Sequence, residues 1–167
     1  RLSLPSSNDM IELQNPFNDI EGYECFGCAP HNPAGLQMQF FEDDAHVLST
    51  WEPKDHFQGY DHILHGGIQA TLMDELASWV VFVKLQTAGF TRGMEITYHR
   101  QVRTNAGVVT LRGNLESRSD RDAAIRCQLF QNDVLSSEAL CHYVVFPEHI
   151  ARKRLHYPGI EAFRGSD

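Results

Sequence analysis

The spacing of apolar residues changes twice along the chain. Between Ile68 and Gln86, apolar side chains recur at Ile68, Leu72, Leu76, Trp79, Val80 and Val83, which is helical spacing. Ala70, Met73, Ala77 and Phe82 fill much of the other side, and no proline or glycine interrupts the run. Gly66-Gly67 opens this helix, and Gly89 follows where a C-terminal stop is expected. A helix apolar around most of its circumference needs other structure wrapped around it.

Beyond the helix the period becomes two. Met94–Val102, Gly107–Ser117, Ala123–Gln131 and Val134–Phe146 read as strands, separated by turn-like residues at 105–107, 119–122 and 132–133. Before it, Leu36–Phe40 alternates apolar and polar, and His46–Trp51 reads as a second strand after a turn at Asp43-Asp44. The order is strand, strand, helix, then four strands joined by short turns. That order implies an antiparallel sheet against one long helix, an α+β architecture.

The flanks read differently. Residues 1–24 are polar and irregular, punctuated by Pro5 and Pro16, and read as an N-terminal arm with a short helix over Asp9–Gln14, capped by Asn8 or Asp9. Residues 25–147 make the domain. Residues 148–167, basic at Arg152, Lys153 and Arg154, read as a solvated C-terminal tail. The chain has 167 residues, enough for one core. Its longest apolar run is Trp79 to Val83, far short of the roughly 20 residues a membrane span needs. No secretion leader is expected. The formal net charge of -8 opposes nucleic-acid binding. Four cysteines do not make a disulfide scaffold, and a reducing cytoplasm is the default location.

Several residues carry candidate chemistry. The first N–H groups of a helix are unpaired and sit at its positive end, so the Gly66-Gly67 opening suits a polarised carbonyl; it reads equally as a plain helix-entry turn, with His65 a satisfied loop histidine. Asp74 places a carboxylate among apolar neighbours, which asks for exposure, a partner or a function. Glu75, about 100° further round, reads as the ordinary solvated acid. Arg118 and Arg121 lie in the turn SRSDRDA and either grip a phosphate or tip a hairpin. Cys25 and Cys28 form a single CxxC with His31 nearby; structural zinc usually takes four ligands, and no second pair exists, so no metal is expected. His46, His56 and His62 show no catalytic-metal spacing.

Together, His65-Gly66-Gly67-Ile68, Thr71-Leu72 and Asp74 resemble the hotdog-fold acyl-CoA thioesterases, of the phenylacetate-pathway and 4-hydroxybenzoyl-CoA types. CFGCAPHNPAGLQMQF upstream and Met94-Glu95-Ile96-Thr97-Tyr98 downstream extend the resemblance over residues 25–146. It implies a hotdog fold, a long central helix wrapped by a curved antiparallel sheet. It implies hydrolysis of acyl-CoA to free acid and CoA in a homodimer, or a tetramer of such pairs, without a cofactor. Asp74 would act as general base or nucleophile across the dimer interface on a carbonyl held by the Gly66 amide, with Gly67 beside it and His65 shaping the loop or hydrogen-bonding near the thioester. Thr91 matches a position where some members orient the water with a hydroxyl. The family's amide six residues before the histidine is here Gly59, so Gln58 is its stand-in. Ser78 would hold a water, and Arg118 and Arg121 would meet the nucleotide. Phe57, Tyr60, Trp79 and Phe82 read as acyl-pocket residues or equally as core. The rival readings are a non-catalytic acyl-CoA-binding module and a hotdog dehydratase or hydratase.

Overall fold

A computed structural model describes residues 9–165. Asn8, one of the two suggested caps, lies outside them. The long helix α1 runs Gly66–Lys84. It ends because Gln86 turns left-handed at φ 54°, a role often taken by glycine. Gly89 is not the stop; it opens a strand, where a Cβ would lie 2.2 Å from the Val144 carbonyl oxygen.

Seven strands wrap α1. They are β1 (Ile11–Glu12), β2 (Phe41–Glu42), β3 (Val47–Trp51), β4 (Gly89–Tyr98), β5 (Val109–Arg118), β6 (Asp122–Gln131) and β7 (Val134–Val145). They form one antiparallel sheet in the order β1-β2-β3-β5-β6-β7-β4. Alternate residues of the long strands turn to the helix: Val109 and Leu111 of β5, Ile125, Cys127 and Leu129 of β6, Ala139, Cys141, Tyr143 and Val145 of β7. Leu72, Met73, Leu76, Ala77, Trp79 and Val80 of α1 meet them, all buried. Gly113 lets the helix come close: a Cβ there would sit 3.0 Å from Val80 and 3.1 Å from Leu76. This is the hotdog arrangement, and it is α+β as the pattern implied.

The local reading fails where tertiary partners replace regular pairing. The stretch 36–40 is not a strand. Its amides bond the CxxC loop (Leu36 to the Phe26 carbonyl, Met38 to that of Gly27), and Gln37 turns left-handed at φ 53°. Its carbonyls instead take side-chain donors, Trp51 Nε1 at Leu36 and Ser49 Oγ at Gln39. The expected helix over Asp9–Gln14 is the short edge strand β1, because Ile11 and Glu12 pair with β2. The strand predicted from Met94 starts at Gly89 and leaves the sheet after Tyr98.

Both flanks pack on the core. Pro16–Asp19 forms a 3-10 turn that buries Phe17. The stretch read as a solvated tail contains α2 (Glu148–Leu155) and α3 (Glu161–Arg164). Tyr157 and Phe163 are buried there, and Phe163 stacks on Phe82 with ring centroids 5.4 Å apart. Among the described residues, no helix is long and apolar enough to cross a membrane.

Candidate active site

The site is built where α1 passes the edge strand β4. Asp74 lies two turns into α1. Thr91 of β4 and Tyr143 of β7 are directly paired across the sheet, so both side chains leave the same face. The register of β4 slips between Thr91 and Gly93, one residue after that pair, a bulge of the kind that re-aims side chains. Thr91 Oγ1 donates to Asp74 Oδ1 at 2.8 Å, and Tyr143 Oη donates to the same oxygen at 2.8 Å and to the Asp74 carbonyl at 2.9 Å. Burial, and then the negative charge of Asp74, push the Tyr143 phenol far above its ordinary range, so it stays a donor. Two hydroxyls therefore fix Oδ1 and set the carboxylate's orientation, while Oδ2 has no partner among the described residues.

The helix start is capped by His65. Its ring Nδ1 accepts from the Gly67 amide at 2.8 Å, and its carbonyl accepts from Ile68 and Gln69. The Gly66 N–H is left outside this cap. Tyr98 Oη donates to the Gly66 carbonyl at 2.7 Å, tying the helix start to the end of β4. The His65 side chain thus shapes the turn into α1.

The remaining candidates are distributed elsewhere. Gln58 is exposed, and its side-chain oxygen accepts from the His62 amide at 3.1 Å within its own loop. Ser78 lines a cavity of about 340 Å³ with Glu75, Phe82, Phe90, Cys25 and Cys28, a set that does not include Asp74. Arg118 and Arg121 are exposed, and neither has a carboxylate partner among the described residues. Arg118 lines a shallow surface groove of about 770 Å³ with Arg92, Ser117 and His142. Of the suggested acyl-pocket residues only Phe82 lines the cavity beside α1. Trp79 and Phe57 are core, Trp79 stacked on Phe40, and Tyr60 is 86% exposed.

The reading of Glu75 as an ordinary solvated acid is wrong. It is partly buried against the CxxC loop. Cys25 Sγ lies 3.4 Å from Glu75 Oε1 and 3.6 Å from Cys28 Sγ. Burial, with the neighbouring Cys25 next, pushes the Glu75 carboxyl up to about 8. The Cys28 thiol, helped by the backbone amides of Cys28 and Gly27, holds Cys25 down to about 5 against the opposing effect of burial. Cys28 is pushed well up by its bond to Cys25 and by burial.

Sequence reasoning missed Tyr143 and the Glu75 cluster. Tyr143 had a signal: a phenol at an inward position of a long alternating strand needs a polar partner. The Glu75 cluster had none, because its parts are 50 residues apart.

Residues 61–137 match the model of the Thioesterase superfamily, in agreement with the resemblance. Among solved structures, a thioesterase superfamily protein is 23% identical, with a TM-score of 0.67; the match covers 72% of this chain and 60% of that one. This chain therefore spans under two thirds of that relative's length. A hypothetical thioesterase from Streptococcus pneumoniae TIGR4, solved with coenzyme A, is 22% identical, with a TM-score of 0.59 over 63% of this chain and 84% of that one. A phenylacetic acid degradation-related protein from Ralstonia eutropha JMP134 is 18% identical, with a TM-score of 0.58 over 66% and 86%. At these identities the likeness is one of fold. Among curated proteins, none matches this sequence.

Proposed function

We propose that this chain, which carries the thioesterase superfamily pattern over residues 61–137, hydrolyses acyl-CoA thioesters to a free acid and CoA. The observation that carries the reading is the Asp74 carboxylate, held on one oxygen by Thr91 and Tyr143 with the other oxygen unengaged. A carboxylate oriented in this way can take a proton from water as the water attacks the thioester carbonyl, or attack the carbonyl itself. On the first route the C–S bond breaks as the sulfur takes up the proton, releasing acid and CoA; on the second it breaks to leave an acyl–Asp74 anhydride, which water then hydrolyses to the free acid while the CoA thiolate takes a proton from water.

The carbonyl oxygen needs its own donor. The Gly66 N–H at the start of α1 meets that need, with the helix dipole behind it. Gly66 and Asp74 are eight residues apart on one helix, a separation of about 12 Å at 1.5 Å per residue. One thioester carbonyl cannot touch both within a protomer. The reaction therefore requires the Gly66 amide of a second copy, which supports a homodimer. Edge strand β4 suits that contact: it ends the sheet and exposes Phe90 at 58% and Tyr98 at 49%. Arg118 and Arg121, free of carboxylate partners, are the groups proposed to meet the phosphates of CoA. Gln58 is the weakest of the proposed site residues, since its amide already serves its own loop.

The test is release of free thiol from a panel of aliphatic and aromatic acyl-CoAs, with wild type beside Asp74→Asn. Turnover that falls about 10²–10⁴-fold in the variant supports the reading. Turnover unchanged by the substitution overturns the role of Asp74. No turnover on any member, with CoA still bound, favours a binding module instead.

A further inference from the structure

We propose that Cys25, Cys28 and Glu75 form a binding site for a soft divalent cation, with Zn²⁺ the best fit and the fourth coordination position open to the cavity beside α1. One sulfur pair and one sulfur–oxygen pair already have the spacing such an ion requires. Around tetrahedral zinc, with Zn–S near 2.3 Å and Zn–O near 2.0 Å, two sulfurs sit about 3.7 Å apart and a sulfur and an oxygen about 3.5 Å. Here the Sγ–Sγ separation is 3.6 Å and the Cys25 Sγ–Glu75 Oε1 separation is 3.4 Å. All three ligand atoms lie within 4.8 Å of one another.

The surroundings suit thiolates. The nearby backbone amides of Cys28 and Gly27 favour the thiolate form of Cys25. Cys28 Sγ accepts from Asn15 Nδ2 at 3.6 Å and lies 3.0 Å from Tyr23 Oη, so donors surround both sulfurs and would orient them on a metal. The third ligand arrives because residue 27 is glycine. A Cβ there would sit 2.4 Å from the Glu75 carboxyl carbon, so a larger residue at 27 would displace the helix carboxylate from its place against the loop. Three acidic groups converge here, and no Lys, Arg or His pairs with Glu75 among the described residues. A divalent cation balances them as no protein group at hand does. Cys28 and Glu75 also line the cavity, which provides a path for the ion and room for a fourth ligand.

The competing fate of two sulfurs at this distance is a disulfide. Forming one would draw them about 1.5 Å closer, to the bond length of roughly 2.05 Å, and would remove two ligands at once. Cys127 and Cys141, the other free pair, are buried in the core. They serve as an internal control.

The experiment titrates the full chain, reduced and chelator-treated, with Co²⁺ and then Zn²⁺. The expected result is one equivalent bound, with the visible bands of tetrahedral cobalt and a thiolate-to-cobalt charge-transfer band, both lost when Zn²⁺ displaces Co²⁺. Cys25→Ser and Cys28→Ser should each abolish or strongly weaken the charge-transfer band. Glu75→Gln should weaken binding at least tenfold, roughly what loss of even an outer partner costs at metal sites. Protection of Cys25 and Cys28 from alkylation by Zn²⁺, mapped by mass spectrometry on wild type, reads the same site without any variant. No band and no protection at one equivalent overturns the proposal. So does a band that survives both cysteine substitutions, or affinity unchanged in Glu75→Gln. A Cys25–Cys28 disulfide in protein purified without oxygen also overturns it. None of these readouts depends on thioester turnover, so this proposal and the hydrolase reading fail separately.

Discussion

Asp74 and Glu75 are neighbours on one helix, both carboxylates, and the fold treats them in opposite ways. Asp74 faces the edge of the sheet, where Thr91 and Tyr143 donate to one of its oxygens. Glu75 faces the other way into the CxxC loop, where burial and a thiolate keep its proton on. Rotation by about 100° separates a carboxylate oriented by two hydroxyls from a carboxyl set against sulfur. The type of side chain decided neither role; the partners brought by β4, β7 and residues 25–28 did.

The sharpest way to break this comparison is to remove the charge at each position in turn. Asp74→Asn should cost about 10²–10⁴ in thioester turnover, measured as thiol release. Glu75→Gln should stay within about tenfold of wild type in the same assay, and an equal loss at both positions would erase the distinction drawn here. Next in size is the support of Asp74. Tyr143→Phe keeps the buried ring and removes one donor, and Thr91→Ala removes the other. We expect each to lower kcat by about 10-fold, near the lower end of what one aligned hydrogen bond to a charged group is worth. Thr91→Ser should recover most of the loss, because it restores the hydroxyl.

On the Glu75 side, Gly27→Ala should destabilise the fold by about 1–3 kcal/mol in urea unfolding, since the new methyl displaces the Glu75 carboxyl. The smallest effect is in the pH dependence of stability of the metal-free protein. Glu75 is raised from 4.5 to about 8 on folding, so by itself it makes stability fall as pH rises through that window. Cys25 is lowered from 9.0 to about 5, so by itself it makes stability rise with pH between those values. Between about 5 and 8 the two slopes oppose each other, because folding only moves one proton from the thiol to the carboxyl. Wild type should therefore show little pH dependence from this cluster. Cys25→Ser should uncover the Glu75 slope and lose about 1–3 kcal/mol between pH 5 and 8. Glu75→Gln should tilt the other way, and unfolding curves at the two pH values distinguish them.

The parts of the site that were legible in the sequence lie close together in it or follow a strict period. His65 caps the apolar helix that carries Gly66 and Asp74, and ten residues span the whole motif. Thr91 was legible through the resemblance alone, and its 2.8 Å bond to Asp74 now gives it a physical role. Gln58 was legible through the resemblance alone, as a stand-in for an amide at position 59, and its side-chain oxygen accepts from the His62 amide in its own loop. Glu75 was misread because a solvated acid is the ordinary case for a helix, and nothing near it in sequence says that Cys25 lies 3.4 Å away.

The sequence by itself determined the central helix, the long strands after it and the α+β class, because each rests on a periodicity of three to four or of two that neighbouring residues express locally. It also determined which residues open the helix. Only the tertiary structure decided that 36–40 bonds a loop instead of forming a strand, that the flanks bury Phe17 and Phe163, that Tyr143 closes on Asp74, and that two thiols meet Glu75. The 36–40 bonds join irregular segments 10 to 15 residues apart, and the other features depend on contacts between segments 50 or more residues apart. Periodicity records which face a side chain is on; it does not record what that face will meet.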